Sequence, residues 1–219
     1  MAELRTEEEQ LNALKAWWKE NGRSLVVGVA AAIAIVVGWQ SWQAREQQQA
    51  AAASALYQNL AEAVQLAEMQ SDDSQYATAK HLAEQLQNDF ESTAYARFAA
   101  LAVAAAAVKQ ADYEFAQTQL DWVIDSAEAN DDLARVASLR KAALLQQLSR
   151  EQEAIALLKG LDAATFESER QELLGDLLKA EGELAGAYDA YEAALEAGGG
   201  EQLRPLLKMK RDDLAGARS

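Results

Sequence analysis

Residues 25–39 read LVVGVAAAIAIVVGW, and no later stretch of the chain resembles them. The run carries no charge; thirteen of its fifteen residues are apolar and two are glycine. Tryptophan pairs frame it, Trp17 and Trp18 on one side, Trp39 and Trp42 on the other. At about 1.5 Å per helical residue, Trp18 to Trp39 covers about 30 Å, the thickness of a bilayer's hydrocarbon core. Indole rings, greasy at one edge and wet at the other, settle at both interfaces. The run reads as a membrane anchor carried by Trp17, Trp18, Leu25, Gly28, Ile33, Val37, Trp39 and Trp42.

Working outward, basic residues crowd the N-terminal flank: Arg5, Lys15, Lys19 and Arg23, against Arg45 alone between the run and Lys80. The positive-inside bias keeps the N-terminus in the cytoplasm and sends the rest across. The expected division is a cytoplasmic segment 1–23, a transmembrane signal-anchor helix 24–42 and a domain 43–219, periplasmic in a bacterium. Two alternatives fit less well. A cleaved signal peptide needs small residues directly after a short apolar core, whereas Ala50-Ala51-Ala52 lie well past it and the leading segment is long. A buried core helix has no use for flanking tryptophans and a basic asymmetry.

The formal net charge is −15, and residues 43–219 hold 30 acidic against 16 basic side chains. Such a domain repels phosphate backbones, so nucleic acid is not an expected partner. With no cysteine, disulfides, thiolate metal sites and thiol nucleophiles are excluded together. One proline and eleven glycines, among abundant Ala, Leu, Glu and Gln, predict an almost wholly helical chain.

Apolar residues recur at helical spacing in short segments separated by polar turns. Leu56, Leu60, Val64 and Ala67 share one face, and nothing between Trp39 and Gln70 breaks a helix, so the span is expected to run on into it. Ser71 to Ser74 end that helix; Ala79, Leu82, Leu86 and Phe90 mark the next. Phe98, Leu101, Ala105 and Val108 follow, then Ala116, Leu120, Val123 and Ile124, then Val136, Leu139 and Ala143. Ser149 has capping-box spacing to Gln152 ahead of Ile155 and Leu158, and Thr165 is a candidate cap for the helix of Leu173, Leu174 and Leu177. Tyr191 marks an eighth helix, Gly198-Gly199-Gly200 stops it, and Pro205 opens a closing one.

The clearest repeating unit is Leu174, Gly175, Leu178, Ala187, Tyr191 and Ala194, which has the residue types and offsets of a tetratricopeptide repeat. The same frame fits Ala104, Ala116 and Leu120, and again Ala142, Ala154 and Leu158; alanines 116, 154 and 187 lie 38 and 33 apart. Small residues let stacked hairpins approach closely enough to share a core. The alternative is an ordinary helical bundle. The fold class is therefore all-α, one N-terminal transmembrane helix followed by a tetratricopeptide-like solenoid.

Catalytic chemistry finds no foothold. His81 is the sole histidine, no nucleophile elbow or phosphate loop occurs, and the paired carboxylates Asp72/Asp73, Asp131/Asp132 and Asp212/Asp213 read as caps and solvated surface. No cofactor or metal is expected. Tyr113, Trp122, Tyr188 and Tyr191 are candidates for a peptide groove; Tyr191 and Trp122 read better as core, with Tyr113 and Tyr188 open. Leu11, Leu14 and Trp18 share a face before the span, either an interfacial lead-in or a cytoplasmic docking helix.

The block Glu7-Glu8-Glu9-Gln10, Leu14-Lys15, Trp17-Trp18-Lys19-Glu20-Asn21-Gly22, the span, Gly38-Trp39 to Trp42, Ser92 to Ala96, the Leu173–Leu195 repeat and Lys208-Met209-Lys210 together resemble the YfgM family of bacterial inner-membrane proteins. The resemblance implies a non-enzymatic, single-span, periplasm-facing tetratricopeptide-like protein. It implies the SecYEG translocon as partner, with emerging chains passed to periplasmic chaperones such as PpiD. It also implies a cytoplasmic response regulator as partner of the N-terminal segment. A reading from another class is a membrane-anchored scaffold or regulator of envelope complexes or stress signalling, not tied to export.

Overall fold

The computed structural model describes residues 7–70, 73–126 and 131–218. Arg5 and the Ser71-Asp72 part of the expected turn lie outside these described residues. Helix α1 runs from Glu7 to Gln70, and inside it the chain divides into two compact units, 1–52 and 53–219. The uninterrupted helix bears out the expectation that nothing after Trp39 breaks it.

In the first unit the apolar stretch finds no protein to cover it. Among the described residues α1 alone is long and apolar enough to cross a membrane, and its apolar window is unburied. Ile33, Val37, Trp39 and Trp42 are each more than half exposed. The Trp18 indole lies over Gly22, where an added Cβ would stand 3.1 Å from the ring, and Trp39 and Trp42 stack tilted with centroids 5.2 Å apart.

The second unit is a chain of antiparallel helices: the C-terminal turns of α1, then α2 (Asp73–Asp89), α3 (Ala94–Lys109), α4 (Tyr113–Asp125), α5 (Asp132–Gln147), α6 (Glu151–Gly160), α7 (Glu167–Ala180), α8 (Leu184–Ala197) and α9 (Pro205–Asp212). From α2 onward, successive helices touch, and so do α3 with α5 and α5 with α7, the next-but-one contact of stacked hairpins. Two cores result. The first gathers Leu60, Leu86, Val103, Leu120 and Val123; the second gathers Leu158, Leu177, Tyr191 and Leu207. Helix α5 serves both, giving Ala137 and Leu144 to one and Ala142 and Leu145 to the other.

The repeat frame is buried throughout. Ala104, Ala116, Leu120, Ala142, Ala154, Leu158, Leu174, Leu178, Ala187, Tyr191 and Ala194 are all at most 7 % exposed, and Gly175 is buried with them. Within it, size is exchanged across the crossing. A Cβ on Gly175 would sit 2.5 Å from Cε1 of Tyr191, so the ring demands glycine. In the two preceding units the ring is replaced by Leu120 and Leu158, and the glycine by Ala104 and Ala142.

The turns inside these hairpins share one geometry. Ala111, Ser149 and Gly182 adopt φ of 58°, 56° and 82°, and the next amide in each case, of Asp112, Arg150 and Glu183, donates 2.9 Å to Ala107 O, Leu145 O and Leu178 O. This is the Schellman closure of a helix C-terminus. Its left-handed residues fall 38 and 33 apart, the same intervals as the alanine frame.

Four local expectations need correcting. Ser149 is not a helix cap; it is the left-handed residue ending α5, and Arg150 precedes α6. Thr165 lies within a 3-10 turn, Ala164–Phe166, rather than capping α7. On α3, Phe98 is 39 % exposed and Ala105 is exposed, while Ala96, Ala99, Ala100, Ala104 and Ala107 are buried. On α5, Ala143 is exposed, with Val136 and Leu139 half-buried beside buried Ala137, Ala142, Leu144 and Leu145. In such alanine-rich helices the smallest residues occupy the close crossing and larger ones flank it, so side-chain size misreports the buried face.

Two stability series follow. Gly175→Ala gains about 1 kcal/mol of helix propensity but overpacks against Tyr191 by about 2 kcal/mol, a net loss of about 1 kcal/mol. In a Tyr191→Leu background the same change becomes neutral or stabilising, so a double-mutant cycle in urea reads a coupling above about 1 kcal/mol. Separately, Ala111→Gly and Ser149→Gly each gain about 0.5 kcal/mol by relieving left-handed strain, whereas Gly182→Ala loses about 1 kcal/mol.

Candidate functional site

Two ion-and-ring clasps tie helices of the repeat unit together. In the first, Tyr76 on α2 donates its hydroxyl to Asp112 Oδ2 at 3.0 Å, and Lys80 reaches the same oxygen at 3.2 Å. The Lys80 ammonium also lies 4.6 Å from the Tyr76 ring centroid and 5.1 Å from that of Phe115. In the second, Tyr191 on α8 donates to Asp176 Oδ1 at 2.7 Å, and Lys210 on α9 donates at 2.9 Å to Asp176 and Glu172 on α7. Arg204 adds a 2.5 Å bond to Glu172 and a further bond to Ser168, whose hydroxyl donates to Ala194 O.

Burial, then the bond to Asp112, pushes the Tyr76 hydroxyl above its ordinary range; burial and Asp176 do the same to Tyr191. Burial works to raise the Asp112 carboxyl, and hydrogen bonds from Lys80 and Tyr76 outweigh it, holding that carboxyl below its usual value. These groups brace neighbouring helices against one another. Among the described residues no three His, Asp or Glu side chains converge in a way that could hold a metal ion.

The four aromatic candidates do not meet on one surface. Tyr113 and Trp122 pack half-buried on the first core, Tyr113 accepting a 3.0 Å bond from Gln147; Tyr188 packs on the second core and Tyr191 is fully buried within it. A different aromatic group does assemble. Tyr57 of α1, Tyr95 and Phe98 of α3 bring their ring centroids within 5.9–6.3 Å of one another. The three-residue spacing of Tyr95 and Phe98 puts them on neighbouring faces of one helix; Tyr57 joins only through the fold.

Two turns further along α3 the same exposed stripe enters a groove of about 410 Å³ between α3 and α5. Ala105, Val108 and Ala143 form its walls, Leu120 of α4 its floor, and Lys109 and Arg140 its rim. Arg140 spans the groove, donating 3.1 Å to the Leu101 carbonyl of α3. Lys109 pairs with Glu68 at 2.7 Å. Among the described residues no carboxylate lies within ion-pair distance of Arg140.

The anchor residues all present themselves outward on α1. Trp17, Trp18 and Leu25 are 44–54 % exposed, and a Cβ added at Gly28 meets nothing within 4 Å. A shallow depression lined by Trp17, Asn21, Leu25, Gly28 and Ala32 runs along one side of it.

Comparison with known proteins adds a direct result. The tetratricopeptide repeat-like domain family matches residues 15–216. The chain is 31 % identical to the ancillary SecYEG translocon subunit of Haemophilus influenzae over 95 % of this chain and 97 % of that protein. It is 32 % identical to that of Aggregatibacter actinomycetemcomitans, covering 98 % and 100 %, and 29 % identical to that of Escherichia coli, covering 95 % and 97 %. A solved structure of the MamA RS-1 ArsTM double mutant superposes with a TM-score of 0.50 at 16 % identity, covering 75 % of this chain and 97 % of that one. At that identity the likeness speaks for the helical-repeat fold alone.

The first clasp has a pH signature. Because the folded Asp112 carboxyl titrates below its unfolded value, its contribution is present above the ordinary carboxylate range and is lost as pH falls through the folded value. Partial exposure keeps it small, so Asp112→Asn is expected to cost about 0.5–1 kcal/mol at neutral pH. The gap from the unsubstituted chain should shrink as pH falls below the ordinary carboxylate range, read by urea denaturation at neutral and acid pH.

Proposed function

We propose, from a chain that belongs to the tetratricopeptide repeat-like family of ancillary SecYEG translocon subunits, that it serves the same export channel as a non-enzymatic, membrane-tethered adaptor. The observation that carries this reading is coverage. The likeness runs across the anchor and the repeats alike, over at least 95 % of both chains in the relatives compared above. A shared repeat domain alone would be consistent with many scaffolds; a shared anchor, flanking segment and repeat domain together favour one assembly.

In this reading residues 1–23 stay in the cytoplasm, 24–42 cross the inner membrane, and 43–219 lie in the periplasm. The exposed tryptophans at 17, 18, 39 and 42 support it, each more than 45 % uncovered by protein where interfacial rings belong. The domain then meets polypeptide segments leaving the channel and hands them to periplasmic chaperones. A tether holds the local concentration of such a surface near the millimolar range, so weak contacts suffice and release stays fast. Its fitness for this work lies in a helical stack braced by the Tyr76 and Tyr191 clasps.

The test is a copurification series with the intact chain. The native protein should resist alkaline carbonate extraction and copurify with SecYEG, and protease added to spheroplasts should digest 43–219. Replacing 24–42 by an unrelated apolar helix separates tether from docking element. Copurification that survives assigns channel contact to the domain; a loss of tenfold or more assigns it to the anchor face. Failure of the native chain to copurify, or a domain that stays protected in spheroplasts, overturns the proposal.

A further inference from the structure

The groove between α3 and α5 is the place where charge and shape ask for a ligand. Most cations of the repeat unit are already matched: Lys80, Arg97, Lys141, Arg170, Arg204 and Lys210 each face a carboxylate. Arg140 is the contrast. It stands exposed at the rim of an apolar groove, with one donor on the Leu101 carbonyl and no carboxylate in reach among the described residues. In a domain with 30 acidic and 16 basic residues, an unmatched guanidinium beside apolar surface is a specific complement to an incoming carboxylate.

From this we infer that the groove binds an extended polypeptide segment carrying an acidic residue between two apolar ones. The spacing follows from helix geometry. Phe98 and Ala105 lie seven residues apart, nearly two turns along one face of α3, or about 10 Å. A chain extended in the polyproline II conformation rises about 3.1 Å per residue and returns the same face every third residue, so it covers that distance in about three residues. Its first large apolar side chain enters the space over Leu120, walled by Ala105, Val108 and Ala143. The second meets Phe98 within the ring group of Tyr57 and Tyr95. Arg140 holds Leu101, which sits between Phe98 and Ala105 on the helix, so the carboxylate belongs between the two apolar contacts. The volume of about 410 Å³ lies within the range of clefts that enclose small ligands.

This deepens the adaptor reading and rests on it, by naming the class of segment the domain meets. The test uses the full chain in nanodiscs and two fluorescein-labelled, C-terminally amidated hexapeptides, Ser-Phe-Ser-Asp-Leu-Ser and Ser-Phe-Ser-Lys-Leu-Ser, read by anisotropy. The acidic peptide should bind about tenfold more tightly, by an amount that shrinks with added salt. Arg140→Glu should reverse that order. Ala105→Glu, at an exposed position that leaves the core untouched, should abolish binding of the acidic peptide, and Gln58→Glu, exposed on α1, should change nothing. Equal binding of the two peptides, indifference to Ala105→Glu, or displacement of the acidic peptide by inorganic phosphate overturns the inference. So does a change in oligomeric state, rather than in peptide binding, on Ala105→Glu, which would make a second copy the occupant. SecYEG copurification of Gln58→Glu should match that of the native chain. Lost copurification by the native chain sinks the adaptor reading, whereas lost peptide selectivity with copurification intact sinks the groove alone.

Discussion

Everything in the repeat unit depends on how closely two helices can approach at one crossing per hairpin. Tyr191 fills the space between α7 and α8, and Gly175 exists to let it. Where the filler shrinks to Leu120 or Leu158, the partner grows to Ala104 or Ala142. Each pair conserves volume, which a densely packed interior requires. The backbone keeps step, with left-handed closures at Ala111, Ser149 and Gly182 repeating at the intervals of the alanines. Packing at the crossing and reversal at the turn are two expressions of one unit.

Those crossings also explain why alanine dominates. Ala96, Ala99, Ala100, Ala104 and Ala107 make α3 a smooth rod that neighbours can approach from several sides. Each such contact buries little apolar area per residue, so directional bonds at the ends matter more. The Tyr76–Asp112–Lys80 clasp joins a hydroxyl and an ammonium of α2 to the residue before α4, and the Tyr191–Asp176–Lys210 clasp joins groups of α8, α7 and α9. Arg135 and Arg170 do similar work on carbonyls around the end of α6, at Asp162 and Leu158.

The anchor was legible because a bilayer sets a length and punishes every charge, constraints that leave a mark in fifteen consecutive residues. Gly175 and Tyr191 were legible because a glycine three positions before a leucine, twelve before an alanine and sixteen before a tyrosine is an uncommon signature. Less was visible where side-chain size is the guide and size is uniform: Phe98 and Ala105 read as core and are exposed. Ser149 misled because a capping residue and a left-handed residue share the same polar, short side chain. The groove and Arg140 left no trace, since they depend on the lateral register of α3 against α5 and on which carboxylates fail to reach a cation. The ring group of Tyr57, Tyr95 and Phe98 was hidden for the same reason, one member lying on another helix.

Helix α5 gives Ala137 and Leu144 to one core and Ala142 and Leu145 to the other. That makes it a seam. Each hairpin leans mainly on its neighbours, so stability need not be uniform along the stack. A stack of this kind can open at one end and re-form against the part that stays folded.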